Sequence, residues 1–172
     1  AGGLLGQYLY QQTQVIGPLH SQLQAVAGVA DVALERSLFG SQARTQVLVE
    51  LLPQVPLAPV LGEIQQILQA SQGDFAVRVH DHPSEPLLQL FGRMRIAAEE
   101  AIATGQFTVL EKRVEELAQT QGVDWELAVD RDFIYITLSR DDSILRRVIS
   151  RDPGSDKVVV LIEGGGSQWP NG

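Results

Sequence analysis

The sequence of 172 residues contains no cysteine, which excludes disulfide bonds, thiolate metal sites and cysteine nucleophiles. Basic residues are also few, since 13 Lys and Arg stand against 21 Asp and Glu and give a formal net charge of −8. This balance removes the electrostatic basis for sequence-independent binding to nucleic acid or acidic lipid. Aromatic residues make up only 6% of the chain and are scattered, so no base-stacking surface is indicated. We therefore expect no nucleic-acid partner.

Long hydrophobic runs and catalytic motifs are absent as well. No apolar stretch approaches the roughly 20 residues that a membrane-spanning helix needs, and no charged n-region with an apolar h-region marks a secretion signal. A membrane connection is expected only through a segment that this chain does not contain. No Ser/His/Asp arrangement, glycine-rich phosphate loop or dinucleotide-binding glycine pattern occurs. We assign no catalytic residue and no cofactor, and we expect that the protein is not an enzyme.

The first half of the chain, residues 18–81, has the pattern of an α-β-β-α-β unit. A short apolar stripe at helical spacing begins at Leu19, and a longer one runs through residues 57–68. Alternation of apolar and polar residues predicts three strands, at residues 29–34, 45–51 and 75–79. An antiparallel sheet with both helices on one face satisfies these stripes. Residues 1–17 are interpreted as an N-terminal helix or linker.

Residues 84–163 are predicted to form a second unit, in which a helical hairpin precedes about three strands. Gly105 and Gly122 are expected to end the two helices, because glycine adopts the left-handed C-terminal conformation without strain. The segment 144–149 is ambiguous between a strand and a helical turn. Residues 164–172 have no periodicity and are expected to form a mobile tail. The predicted fold class is therefore α+β, with two small units of antiparallel sheet that carry their helices on one face.

The segment His80–Asp81–His82 is the most suggestive cluster for chemistry, with His80 and His82 as the candidate metal ligands. At the end of a strand and two residues apart, their imidazoles would share a face and could hold a metal ion with a third ligand. A polar strand end without a ligand is the simpler interpretation, since the chain has only three histidines and no fixed spacing links them to further acids. No metal site is therefore assigned. Arg146 and Arg147 belong to the only local basic cluster, which would either contact the acidic face of a partner or balance nearby aspartates.

The segment Val26–Ala27–Gly28–Val29, followed by Val32 and Leu34, combines the end of a helix, a glycine junction and an alternating strand. This pattern resembles the ring-building motif domains of the flagellar membrane-supramembrane ring protein, needle-complex inner rings and sporulation channel proteins. The resemblance covers about residues 18–80, because a second strand, a helix and a third strand follow in the same order. It implies a scaffold domain whose copies pack side by side just outside a membrane, held there by a transmembrane helix.

The leading hypothesis is accordingly a non-enzymatic assembly or scaffold domain that makes protein–protein contacts, with a second copy or a related subunit as its partner. Val26, Gly28 and Val29 would shape the junction between helix and strand. Exposed positions such as Arg44 and Gln66 would form contacts. The resemblance implies the extracytoplasmic face of a membrane, and without it a cytoplasmic location is expected.

Two other hypotheses stay open. The alternative is a small-molecule-binding regulatory domain, with the ligand between the two units near residues 81–84, because pockets at such interfaces are common. The third is a metal-dependent hydrolase that uses His80 and His82.

Overall fold

The structure is a computed structural model that describes residues 17–37, 44–152, 154 and 159–161. In chain order its elements are α1 Gly17–Gln24, β1 Val29–Ser37, β2 Arg44–Leu51, α2 Leu57–Gln69, β3 Asp74–Val79, α3 Glu85–Thr104, α4 Phe107–Gln121, β4 Asp124–Val129, β5 Phe133–Arg140, β6 Ser143–Ser150 and β7 Val159–Leu161. The helix or linker predicted before α1 and the predicted tail 164–172 lie outside the described residues. None of the helices described is long and apolar enough to span a membrane.

Strands β1, β2, β3 and β7 form a four-stranded sheet in that order, which we call the first sheet. β1 and β2 are an antiparallel pair, whereas β2 runs parallel to β3, and β3 runs parallel to β7. The parallel pairing of β2 and β3 follows from α2, because the helix carries the chain back along the sheet before β3 begins. The α+β class is confirmed, but the first sheet is mixed rather than wholly antiparallel as the alternation suggested.

The second unit is inserted into the first sheet rather than placed after it. The chain leaves β3 at Val79, forms α3, α4 and strands β4 to β6, and then returns as β7 beside β3. In this parallel pairing Val77 lies opposite Leu161. The strand predicted near the end of the 84–163 unit therefore belongs to the first sheet. The break between 81 and 84 lies between two sheets, but the chain after it contributes strands to both of them.

Strands β4, β5 and β6 form an antiparallel sheet in that order, which we call the second sheet. The ambiguous segment 144–149 is part of strand β6. Helices α3 and α4 cover one face of this sheet, where Ile134 and Ile136 are fully buried. The opposite face places Phe133 and Tyr135 in the core built by α1, α2 and the first sheet. Because alternate residues of a strand point to opposite faces, β5 belongs to both cores.

Glycines end both helices of the hairpin, as predicted. Gly105 follows α3 with a φ of 75°, and Gly122 follows α4 with a φ of 62°. The amide of Gly105 donates to the carbonyl of Ala101, and the amide of Gly122 donates to the carbonyl of Ala118. These bonds satisfy carbonyl groups that the helix itself leaves unpaired.

Gly28 lies at the junction between α1 and β1, where its φ is +97°. A Cβ atom added there would lie 2.6 Å from Cγ1 of Val55. The Gly28 carbonyl also accepts a hydrogen bond of 2.9 Å from the amide of Leu52. Val26 and Val29 on either side are buried. The junction therefore requires glycine both for its backbone conformation and for the close approach of the chain that leads into α2.

We predict that Gly28→Ala lowers the free energy of unfolding by about 2–4 kcal/mol, because it adds positive-φ strain to a steric clash. Gly62→Ala is the matched control, since Gly62 lies within α2 and nothing is within 4 Å of an added Cβ. The same methyl group is expected to stabilise the protein there by roughly 0.5–1 kcal/mol. Urea unfolding measures both changes, and an unchanged midpoint for Gly28→Ala would show that the junction tolerates a side chain.

Candidate functional site

A cleft of about 910 Å³ lies between the two sheets. Its lining comes from Ala30 of β1, from the end of β2 and the segment 52–55, from residues 80 and 82, and from parts of β4, β5 and β6 with the turn 141–142. The cleft is therefore built by both units, at the break near residues 81–84. This is the place where the small-molecule hypothesis expected a ligand.

One wall of the cleft is the polar half of a face of the second sheet. Strand β5 shows the division most clearly, because Phe133 and Tyr135 are buried in the first core while Thr137 and Ser139 line the cleft. All four side chains lie on the same face, since alternate residues of a strand point the same way. The first unit therefore packs on the apolar half of this face and stands apart from the polar half.

The connector, which we define as residues 80–84 between β3 and α3, closes the cleft beside β6. His82 and Ile144 form an antiparallel bridge, with main-chain hydrogen bonds of 3.2 and 3.3 Å. The bridge adds a short segment to the edge of β6. The second sheet and the end of the first sheet are consequently joined at this side of the cleft.

Asp81, in the middle of the connector, is completely buried. Its Oδ2 accepts a hydrogen bond of 2.9 Å from the amide of Arg146 and forms an ion pair with the guanidinium of Arg147. That guanidinium also lies 5.8 Å from the centre of the Phe91 ring on α3, within the range of a cation–π contact. A buried pair of this kind adds little net stability over apolar residues, but loss of one partner leaves an uncompensated buried charge. The pair therefore fixes where the connector sits.

Arg146 links the two walls of the cleft. Its Nη1 donates to the carbonyl of His80 at 3.3 Å, and its Nη2 donates to the carbonyl of Leu52 at 3.4 Å. Burial lowers the pKa of Arg146, whereas the neighbouring carboxylates of Asp81 and Glu50 act in the opposite direction. The side chain thus ties β6 to the ends of both β2 and β3.

The opposite wall and the rim of the cleft contain an exposed apolar side chain and two residues with an unusual backbone conformation. Leu52 is 48% exposed and lines the cleft. Gln54 has a φ of 65° and Asp141 a φ of 54°, and these are the non-glycine residues with positive φ in the described part of the chain. Both line the cleft. Such conformations cost about 1–3 kcal/mol each and cluster at functional sites.

Carboxylates outnumber cations in the cleft lining. The acidic residues are Glu50, Asp124, Glu126, Asp141 and Asp142. The lining also contains Arg140, Arg146 and the two histidines His80 and His82. Five acids against two arginines leave a formal charge of −3 when the histidines are neutral.

β4 is an edge strand, with β5 as its single neighbour among the described residues. None of its six residues is buried, although Trp125, Leu127, Ala128 and Val129 are apolar. The connector lies beside β6, and β4 lies on the other side of β5, with Asp124 and Glu126 in the cleft lining. β4 therefore borders the cleft on the side away from the connector, and we call this side the mouth of the cleft. The unpaired N–H and C=O groups of an edge strand are a template for another strand.

The structure brings together some of the residues that the sequence singled out. His80 and His82 both line the cleft, and their ring centres are 6.4 Å apart. Within the described ranges, no group of three or more His, Asp or Glu side chains is placed to hold a metal ion. The described part of the chain therefore offers the pair no third ligand of the kind that the hydrolase hypothesis needs. Arg44 and Gln66 are exposed but do not line the cleft.

Arg146 and Arg147, predicted to contact a partner or balance nearby aspartates, are buried instead, with exposures of 6% and 7%. Arg147 pairs with Asp81, which precedes it by 66 positions. Asp81 belongs to the cluster that the sequence singled out, but its pairing with Arg147 was missed because Asp81 lies in what the sequence presents as a simple break before Pro83. The sequence feature that could have indicated this role is a lone aspartate directly after a strand. A single sequence does not reveal the distant residue with which such an aspartate pairs.

We predict that Asp81→Asn lowers the free energy of unfolding by about 3–5 kcal/mol, because the Arg147 charge then stays buried without a counter-ion. Asp141→Asn, on the exposed turn between β5 and β6, is the matched control and is expected to change it by less than about 0.5 kcal/mol. Adding Arg147→Met to Asp81→Asn should recover much of the loss, since both charges are then removed. Strictly additive effects of Asp81→Asn and Arg147→Met on thermal unfolding would contradict the pairing.

Comparison with known proteins gives no relative. No family model matches the chain, and neither a curated protein nor a solved structure does. Function is therefore inferred from the cleft itself.

Proposed function

We propose that the protein is a non-enzymatic binding module for protein assembly, and that its partner contributes an extended segment that enters the cleft beside β4. The observation that carries the proposal is that an unpaired strand edge coincides with the mouth of a cleft. In this mode of recognition, the main chain of the edge strand binds the main chain of the partner. The neighbouring groove then receives alternate side chains of the added strand.

The two faces of β4 suit an added strand. Trp125 and Leu127 lie on one face, where they are half-buried against the core under α3 and α4, and Trp125 also contributes to the cleft lining. Asp124 and Glu126 lie on the other face and line the cleft. A strand paired to β4 would continue both surfaces, covering the half-buried apolar side chains on one face and projecting into the cleft on the other.

The cleft is held in place before any partner arrives. Asp81 and Arg147 fix the connector, and the Arg146 guanidinium bonds to carbonyl groups at the ends of β2 and β3. A preformed site lowers the entropic cost of binding, because fewer side chains and loops must be ordered. This rigidity favours recognition of a segment by a fixed groove.

The resemblance to ring-building domains supports the same class of function, since copies pack side by side in those families. The order α1-β1-β2-α2-β3 in the first unit agrees with their pattern. Under this proposal the partner is a related subunit or a further part of another copy.

A small molecule in the same cleft is the second candidate. The volume of about 910 Å³ lies within the range of roughly 300–1,000 Å³ that small-molecule sites occupy. The positive-φ residues Gln54 and Asp141 on its lining also suit a ligand site. A regulatory role would follow if the ligand altered the contact between the two units.

The absence of cysteine allows a direct test, because Ser139→Cys introduces a single thiol inside the cleft. Peptides are first selected by display on the unmodified protein. Their affinity for the Ser139→Cys variant is then measured before and after its thiol has reacted with a bulky maleimide. Glu116→Cys, on the exposed surface of α4, is labelled in the same way as the control. We expect affinity to fall at least about tenfold only when position 139 carries the label, since the label then fills the cleft.

Selected peptides that bind labelled Ser139→Cys as well as the unmodified protein would overturn the proposal. A panel of metabolites tested by thermal shift separates the second candidate. The small-molecule function would be favoured if one class of metabolite stabilised the protein, the label at position 139 abolished this stabilisation, and no selected peptide bound in the cleft.

A further inference from the structure

We infer that the segment received by β4 is basic, with lysine or arginine side chains at alternate positions. The inference rests on the proposed function and specifies the chemistry of the partner. It is carried by Asp124 and Glu126, which lie two residues apart on the free edge strand and both line the cleft.

The register of the second sheet places both carboxylates on the cleft side. Asp124 lies opposite Ser139 and Glu126 lies opposite Thr137, and these two β5 residues also line the cleft. Side chains directly opposite in neighbouring strands lie about 4.5–5.5 Å apart at Cβ. A strand added to β4 would therefore place two of its own residues, also two apart, beside the two carboxylates.

The carboxylates at the mouth of the cleft have no ion-pair partner among the residues that the structure describes. Asp124, Glu126, Asp141 and Asp142 form no ion pair with any residue of the described ranges. The nearby Arg140 side chain donates to the carbonyl of Gln121 at 3.3 Å. The Arg146 guanidinium likewise donates to main-chain carbonyls at the other side of the cleft. Cations supplied by a partner would thus find carboxylates without a counter-ion.

The same charges disfavour pairing of β4 with β4 of a second copy. Two such edges would bring Asp124 and Glu126 of one copy against the acidic positions of the other, and like charges opposite one another destabilise a sheet. The acids therefore select against self-pairing at this edge and in favour of a basic strand. The occupant is therefore a basic extended segment of a partner subunit, distinct from β4.

Three synthetic peptides of equal length test the inference by fluorescence anisotropy with the full chain. The first alternates lysine and valine, the second alternates glutamate and valine, and the third has the composition of the first with its lysines consecutive. We expect that only the first peptide binds. Its affinity should fall as the salt concentration rises, because salt screens the attraction between its lysines and the carboxylates. The double variant Asp124→Asn/Glu126→Gln should bind the first peptide about tenfold more weakly.

The matched control is Glu111→Gln/Glu116→Gln, which removes the same charge from the exposed surface of α4. Its affinity for the alternating lysine peptide should equal that of the unmodified chain. Equal losses in the two double variants would mean that the peptide responds to overall charge, which would overturn the inference. Equal binding of the lysine peptides with alternating and consecutive lysines would overturn it as well, since the strand register would then play no part.

Failure of the inference is distinguishable from failure of the proposed function. Display-selected peptides that are neutral or acidic, yet are blocked by the label at Ser139→Cys, would refute the basic segment and leave cleft binding standing. Loss of cleft binding by every peptide would refute both. In that case Asp124 and Glu126 act only to keep the edge of β4 from pairing with other strands.

Discussion

The buried carboxylate of Asp81 holds the connector, β6 and α3 in one arrangement. It accepts a hydrogen bond from the amide of Arg146 and forms an ion pair with the guanidinium of Arg147. That guanidinium in turn makes a cation–π contact with the ring of Phe91. Because β3 ends immediately before the connector, this contact also fixes the end of the first sheet against the edge of the second. The ionic contact contributes more to orientation than to net stability, since burial of both charges offsets much of their attraction.

The cleft is the consequence of that orientation together with the pattern of one strand. Phe133 and Tyr135 bring the second sheet against the first core, whereas Thr137 and Ser139 on the same face offer nothing apolar to pack. The connector anchors one side of the gap, and the edge strand β4 borders the gap on the other side. An edge strand, a fixed groove and carboxylates without an ion-pair partner in the described part of the chain thereby meet at one place. This is the physical basis for proposing that an extended basic segment binds there.

Much of the fold could be predicted from the sequence because periodicity is a local property. Alternation around Val47 and Val77 identified strands, and Gly105 and Gly122 marked the ends of helices. Strand direction and order could not be predicted, because a stripe of apolar residues states which face is buried but not which neighbour covers it. The return of β7 to the first sheet across the whole second unit is the clearest example.

The candidate site was predictable in position but not in composition. His80, His82 and the break near residues 81–84 lie at the cleft, since a chain passing between two units has to cross their interface. The roles of Asp81 and Arg147 were not accessible, because a charged residue in a single sequence is normally assigned to the surface. The exposed edge of β4 was equally hidden, since Trp125 and Leu127 alternate in the same way in an edge strand and in a central one.

Hydrogen exchange of the β4 amides, measured with and without a peptide selected by display on the unmodified protein, tests most directly whether a segment adds to this edge. If it does, the amides of β4 that do not bond to β5 become protected on binding, while exchange within β1, which lies at one edge of the first sheet, stays unchanged. A bound peptide that leaves every β4 amide exchanging as before would contradict strand addition at the mouth of the cleft.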